Sequence, residues 1–278
     1  MKRVAILAVA GALSACGGSS SNNLNAAANT KFSYGTSTTP ASSTVTSSAS
    51  SQLSALVTAS SSTTPASVQS ATQLSTITDS LLTTSNVSYL VAGTAPQFVD
   101  VAQQALAVSQ QGLMASNFDN PGCVTQPTPT SVNFSNCTTT STSSGITETD
   151  TINGSFAVAN GTATWSATMR AAVSESGVTV NANATFAGTM TVTSTTAKGS
   201  MEDDVSVTAS ANGQNYAAEV SESVALDVTY DGSRCIDGGT LEAKRVWVTK
   251  PNVQGNYANQ GALVTWTGCG VATVALSN

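Results

Sequence analysis

The stretch YAAEVSESVALDVTY, residues 216–230, alternates between apolar and polar side chains over most of its length. Its apolar positions share one parity and comprise Tyr216, Ala218, Val220, Val224, Leu226, Val228 and Tyr230. Because successive side chains of a β-strand point to opposite faces, a period of two indicates a strand with one apolar and one solvated face. We therefore predict a long strand here, with Glu219 and Asp227 on its solvated face.

The same period of two recurs from about residue 132 onward. Two further runs, at 165–173 and 178–186, are apolar at alternate positions. Asn-Gly or Asp-Gly dipeptides, which favour tight hairpins, occur at 153–154, 160–161, 212–213, 231–232 and 237–238. Since connections this short join antiparallel neighbours, we predict a mainly β fold. It is an antiparallel meander of about nine to eleven strands, arranged as a barrel, a half-barrel or a sandwich.

Two short helices are predicted ahead of the sheet, in a helical segment at 66–118. Apolar residues recur there at steps of three and four, which places them on one helix face. The first stripe comprises Val68, Ala71, Leu74, Ile77 and Leu81. The second begins near Phe98, and Pro96 suits the first turn of its helix.

Residues 16–65 are dominated by Ser, Thr, Ala and Asn. Apolar residues are too few in this segment to bury a core, so the composition predicts a disordered tether. The β domain then occupies residues 119–278, after the helical segment.

Residues 1–15 have the features of a signal peptide. Lys2 and Arg3 precede an apolar stretch that is shorter than a membrane-spanning helix requires. The tetrapeptide at 13–16, Leu-Ser-Ala-Cys, resembles the lipobox of bacterial lipoproteins. The resemblance implies that Cys16 is the lipid attachment site, that the leader is removed before it, and that acyl chains hold the protein on a membrane. An ordinary secretory leader cleaved near Ala15 is the alternative.

The residue after Cys16 also carries information within this resemblance. In enteric lipoproteins an aspartate at that position retains the protein at the inner membrane, and this chain has Gly17. The resemblance therefore implies a lipid anchor in the bacterial outer membrane. Whether the domain faces the periplasm or the cell surface is left open.

The chain has five cysteines, and four are left once Cys16 carries lipid. They are Cys123, Cys137, Cys235 and Cys269. An even number suits an oxidising compartment. We favour the disulfides Cys123–Cys137 and Cys235–Cys269 among the three possible pairings, because each pair brackets one local segment. A four-cysteine metal site is disfavoured since no C-x-x-C spacing occurs, and no cofactor is expected.

Charged residues make up only 9% of the chain, and the formal net charge is −6. The few basic residues are scattered, which argues against nucleic acid as a partner and against electrostatic docking on anionic lipid. The chain contains no histidine. This excludes a Ser-His-Asp triad and disfavours the usual zinc sites.

Acidic residues are the main candidates for chemistry, since a pair of carboxylates can hydrolyse glycosides. Glu148 and Asp150 form one pair, whereas Glu219 and Asp227 lie more than about 20 Å apart along their strand. Residues 202–204, Glu-Asp-Asp, are predicted to be a solvated strand end, with a weak Ca²⁺ site as the alternative.

Two other sets of residues invite a functional interpretation. Lys198 lies beside Gly199 in a predicted turn, so a catalytic serine–lysine or threonine–lysine pair is disfavoured. Trp165, Trp247 and Trp266 all fall in predicted strands. Packing in the core is the favoured role of the three indoles, and stacking on a carbohydrate is the alternative.

The sequence as a whole therefore predicts a non-enzymatic structural or interaction module of the bacterial envelope, anchored through lipid on Cys16. Its partners are the membrane and an envelope protein or a lipid. The alternative is a carrier of an apolar ligand, because two helices before a long meander resemble the half-barrel and lid of periplasmic lipoprotein carriers. A membrane-spanning barrel is disfavoured, because aromatic residues are only 5% of the chain.

Overall fold

The computed structural model describes residues 26–35, 39–40, 118–128, 130–193, 195–211, 214–231, 236–250, 257–268 and 271–277. Most of them form a single antiparallel sheet that is not closed. The prediction of an antiparallel β meander is therefore confirmed. The predicted signal peptide, the lipid site Cys16 and both predicted helices lie outside the described residues.

The described elements begin with one helical turn, α1 (Ala26–Asn29), and include a short 3-10 turn at Pro121–Cys123. The strands are β1 (Thr39–Pro40), β2 (Val124–Thr128), β3 (Ser131–Ser143), β4 (Ile146–Ala159), β5 (Thr162–Glu175), β6 (Val178–Val192), β7 (Thr196–Ala211), β8 (Gln214–Tyr230), β9 (Ile236–Thr249), β10 (Gln260–Gly268) and β11 (Val271–Ser277). The quoted stretch at 216–230 is nearly all of β8, the longest of these strands.

The strand order across the sheet follows the order along the chain from β2 to β11. Every pair of neighbours is antiparallel, as short hairpin connections require. β1 departs from this order. It pairs with β11 at one edge of the sheet, so the first and last described strands are neighbours. The only long crossover among the described strands is therefore the one that brings β1 to β11.

The predicted turn at Asn160-Gly161 is confirmed. It connects β4 to β5, and its two residues have φ values of 51° and 75°. Two positive φ values match the twist of the flanking strands, which is why Asn-Gly is preferred there.

Two other predicted turns are wrong. Asn153-Gly154 lies inside β4, opposite a bulge in β3, and the Asn153 side chain accepts a hydrogen bond from the backbone N–H of Asn136. Asp237-Gly238 lies inside β9, next to a register shift against β8. Each dipeptide lies at an irregularity between paired strands. Because the same dipeptides also occur in hairpin turns, the sequence alone does not distinguish the two roles.

The sheet has two unlike faces, and we call the one that carries the apolar positions of 216–230 the inward face. Its buried apolar side chains come from β3 through β10 and include Phe134, Phe156, Trp165, Phe186, Leu241 and Trp266. The opposite, outward face carries mostly Thr, Ser and charged side chains. Alternation along each strand therefore produces one continuous core, as the sequence predicts.

Residues 26–35, which we call the N-terminal segment, pack against the outward face. Ala27 is fully buried, and its N–H donates to Ser221 Oγ of β8 at 3.0 Å. Tyr34 donates its hydroxyl to Glu242 of β9 at 2.8 Å. The prediction of a disordered tether is thus wrong for these residues. The segment has few apolar groups, but Ala27, Phe32 and Tyr34 fit against the sheet.

Candidate functional site

Cys123 and Cys137 form a disulfide that joins the 3-10 turn to β3. Both residues are buried, and they are 14 positions apart in the sequence. The local pairing favoured from the sequence is present for these two cysteines. The second predicted pair, Cys235–Cys269, lies outside the described residues.

Glu148 and Asp150 lie two residues apart on the inward face of β4 and are half-buried. One oxygen of each carboxylate is buried without a hydrogen-bond partner in the described part of the chain. Burial, and then the charge of Glu148, raise the pKa of Asp150 to about 6. The structure therefore brings this candidate pair together on one face, where burial and the neighbouring charge favour the protonated form of Asp150.

Residues 202–204 lie in the middle of β7, so the predicted solvated strand end is wrong. Asp203 points to the inward face and is only 4% exposed. Glu202 and Asp204 point outward, near Glu219 of β8, and burial and the charge of Asp204 raise the pKa of both glutamates. Strand alternation divides the three acids between the two faces, which is incompatible with a calcium site formed by all three.

Lys198 is also placed differently from the prediction, because it lies within β7 rather than in a turn. Its ammonium donates to Asp227 Oδ2 of β8 at 2.6 Å, on the outward face. Asp227 was predicted on the solvated face of its strand, and it is exposed there. The two residues form a surface ion pair.

Three charged side chains lie side by side on the inward face of β7, β8 and β9, and we call them the ionic row. Asp203 of β7 is the cross-strand partner of Glu222 of β8, and Glu222 is the partner of Arg245 of β9. All three are buried, and Arg245 is 1% exposed. The row is therefore the most strongly buried group of charges in the described chain.

One ion pair within the row is directly hydrogen-bonded. Arg245 Nε donates to Glu222 Oε1. The other two guanidinium nitrogens, Nη1 and Nη2, are buried and have no hydrogen-bond partner in the described ranges. Burial raises the pKa of Glu222, and the charge and hydrogen bond of Arg245 oppose that rise. Burial outweighs the effect of Arg245, so the pKa of Glu222 lies above its ordinary value.

Sequence reasoning missed Glu222 and Arg245, although the sequence contains a signal for them. Glu222 falls between Val220 and Val224, and Arg245 falls between Ala243 and Trp247, at the parity of the buried positions. Asp203 shows the same pattern between two buried residues of β7. A charge at an inward position of a strand indicates a buried ionic site.

The three tryptophans are buried on the inward face. Trp165 packs on Gly188 of β6, and Trp247 makes an edge-to-face contact with Tyr257 at 5.0 Å. Core packing, the favoured interpretation, is confirmed for all three. The buried rings present no face for stacking on a carbohydrate.

No group of three or more Cys, Asp or Glu side chains among the described residues is arranged to hold a metal ion. Among the same residues, no helix is both long and apolar enough to cross a bilayer.

Comparison with known proteins gives no relative for this chain. No protein-family model, no curated protein and no solved structure matches it.

Proposed function

We propose that this protein is a non-enzymatic structural or interaction module of the bacterial envelope, held on the outer membrane by lipid on Cys16. The anchor rests on the lipobox-like tetrapeptide at 13–16. The observation that supports a structural module is the close packing of side chains on the inward face. Phe156, Val228 and Leu241 have no exposed surface, which is typical of a packed core rather than of an open ligand cavity.

Metabolic labelling with palmitate tests the anchor. The full chain is expected to incorporate label and to fractionate with membranes, whereas Cys16→Ser is expected to lose both properties. Ser19→Ala is the matched control, because it changes a neighbouring small polar residue and leaves the tetrapeptide intact. Label retained by Cys16→Ser would contradict the proposal.

A second candidate function, carriage of an apolar ligand, is favoured by one observation. Among the described residues, Arg245 Nη1 and Nη2 have no hydrogen-bond partner. They lie on the inward face of a sheet that is not closed. Such nitrogens suit the carboxylate of a fatty acid. The full packing around them favours the structural module over the carrier.

Solvent extraction of the purified protein separates the two candidates. A structural module is expected to yield no stoichiometric lipid and to leave the emission of a fluorescent fatty acid unchanged. A carrier is expected to release one lipid per chain and to bind the probe. Arg245→Lys is expected to weaken that binding because it removes the two-pronged contact with a carboxylate.

A further inference from the structure

A groove of about 690 Å³ crosses the outward face of five neighbouring strands, β6 to β10. Two rows of cross-strand partners form it. The first row comprises Thr191, Lys198, Asp227 and Thr240. The second comprises Thr189, Ser200, Ala225, Glu242 and Leu263. This outward groove therefore runs across the strands, and four strand spacings of about 4.8 Å make it about 19 Å long.

The charges that line the outward groove are already paired. Lys198 donates to Asp227 at 2.6 Å. Glu242 accepts a hydrogen bond from Tyr34 and forms an ion pair with Lys244 at 3.2 Å. An ionic ligand would have to displace one of these pairs, so the groove favours a neutral ligand.

The remaining lining combines hydroxyl groups with a small apolar surface. Thr189, Ser200 and Thr240 supply hydroxyls that both donate and accept hydrogen bonds. Ala225 and Leu263 supply apolar surface between them. This combination matches a sugar, whose hydroxyls surround an apolar face of C–H groups.

An extended peptide fits the groove less well than a sugar. The backbone groups of β6 to β10 are paired with neighbouring strands on both sides. A peptide lying on this face would find no strand edge to extend, which is the usual source of affinity for an extended peptide on a sheet.

We propose that the outward groove binds an uncharged stretch of an extended glycan that lies across the strands. Neighbouring strands are about 4.8 Å apart, and a pyranose unit in an extended β-linked chain advances by a similar distance. Sugars spaced in this way would face the hydroxyls of β6, β7 and β9, with the apolar side chains of Ala225 and Leu263 on β8 and β10. This site goes beyond the proposed envelope module and does not depend on lipid at Cys16.

Calorimetric titration of the full chain tests the proposal, with cellotetraose and N-acetylchitotetraose as extended probes. Maltotetraose is the control ligand, because it has the same sugar units as cellotetraose in a curved chain. We expect at least one extended probe to bind at about millimolar concentration or below, and maltotetraose to bind more weakly. No binding of either extended probe, or equal binding of maltotetraose, would overturn the proposal.

Two variants locate the binding site. Ala225 is exposed in the middle of the groove, so Ala225→Trp is expected to block it, whereas Ala172→Trp, on the outward face of β5, is expected to leave affinity unchanged. Thr189→Val and Thr240→Val are each expected to weaken binding about fivefold, and Thr168→Val is their matched control on the same face.

The hydroxyl variants keep the test decisive if Ala225→Trp fails to fold, because Thr→Val preserves side-chain shape. Glycan binding that persists unchanged in both hydroxyl variants would place the glycan elsewhere and overturn the assignment of the groove.

Discussion

The effect of a substitution in the ionic row depends on whether it leaves a buried charge without its partner. A buried ion pair adds little compared with a well-packed apolar pair, but removing one partner leaves an uncompensated charge in the core. Arg245 is the one cation of the row, and it lies beside Glu222, whose other neighbour is the buried carboxylate Asp203. The row should therefore tolerate joint replacement better than loss of the arginine alone.

We predict that Arg245→Met lowers the free energy of unfolding by about 3–5 kcal/mol. The double variant Glu222→Leu/Arg245→Met should lose less than the sum of the single changes, because each change removes the charge that the other change alone would leave unpaired. Chemical denaturation measures both. Lys198→Met is the control, since it breaks an exposed ion pair worth at most about 1 kcal/mol. Equal losses in Arg245→Met and Lys198→Met would contradict this account.

Asp150 predicts a dependence of stability on pH. Burial raises its pKa from 3.8 to about 6 in the folded protein, so folding favours its protonated form. Its contribution is therefore present below pH 3.8 and is lost as the pH rises towards 6.

Asp150→Asn is expected to remove this loss. The stability of the variant relative to wild type should therefore rise between pH 4 and pH 6, since the pKa is 3.8 in the unfolded chain and about 6 in the folded protein. Urea unfolding across that range gives the measurement. Thr149→Ser, which adds and removes no titrating group, should leave the pH profile unchanged. Parallel profiles for wild type and Asp150→Asn would count against the inferred pKa.

At the scale of the elements, close contact between β5 and β6 depends on a glycine. A Cβ at Gly188 would lie 2.2 Å from the Trp165 ring, so the indole occupies the space that any other side chain would need. Gly188 and Trp165 are direct cross-strand partners, which explains the contact.

We expect Gly188→Ala to destabilise the protein by about 1–3 kcal/mol, because the ring of Trp165 must leave its position in a packed core. Thermal unfolding and the near-ultraviolet circular dichroism of tryptophan report the two effects. Gly122→Ala is the control, since open space surrounds that position. An unchanged tryptophan spectrum in Gly188→Ala would show that the contact is not tight.

At the scale of the whole molecule, the N-terminal segment determines how far the sheet can lie from the predicted anchor. Residues 17–25, nine in all, separate Cys16 from α1. Ten peptide steps span at most about 36 Å. If Cys16 carries lipid, the outward face of β8 and β9 is held near the membrane rather than at the end of a long tether.

Trypsin tests whether the N-terminal segment is docked. Lys31 is the only basic residue between Arg3 and Arg170, so cleavage after it is easily recognised. We predict slow cleavage in the wild type and fast cleavage in Ala27→Asp, because a carboxylate at this fully buried position should release the segment. Asn29→Asp, at an exposed position, should behave like the wild type. Fast cleavage of the wild type would contradict docking.

Features that depend on neighbours along the chain can be predicted from the sequence alone. The period of two at 216–230 indicates a strand and which of its side chains share a face. The Asn-Gly turn at 160–161 and the pairing of Cys123 with Cys137 are equally local. These features need no knowledge of which distant residues meet, and the structure has each of them.

Which residues of different strands lie side by side depends on the fold and cannot be predicted from local patterns. Periodicity gives the face of a side chain but not its register, which depends on turn lengths and on bulges such as the one opposite Asn153-Gly154. That register aligns Asp203, Glu222 and Arg245 into one row, and it brings side chains of five strands together in one groove. The contact of Ala27 with Ser221, 194 residues away, likewise has no local signal, because it depends on the shape of a surface that exists only after the strands have paired.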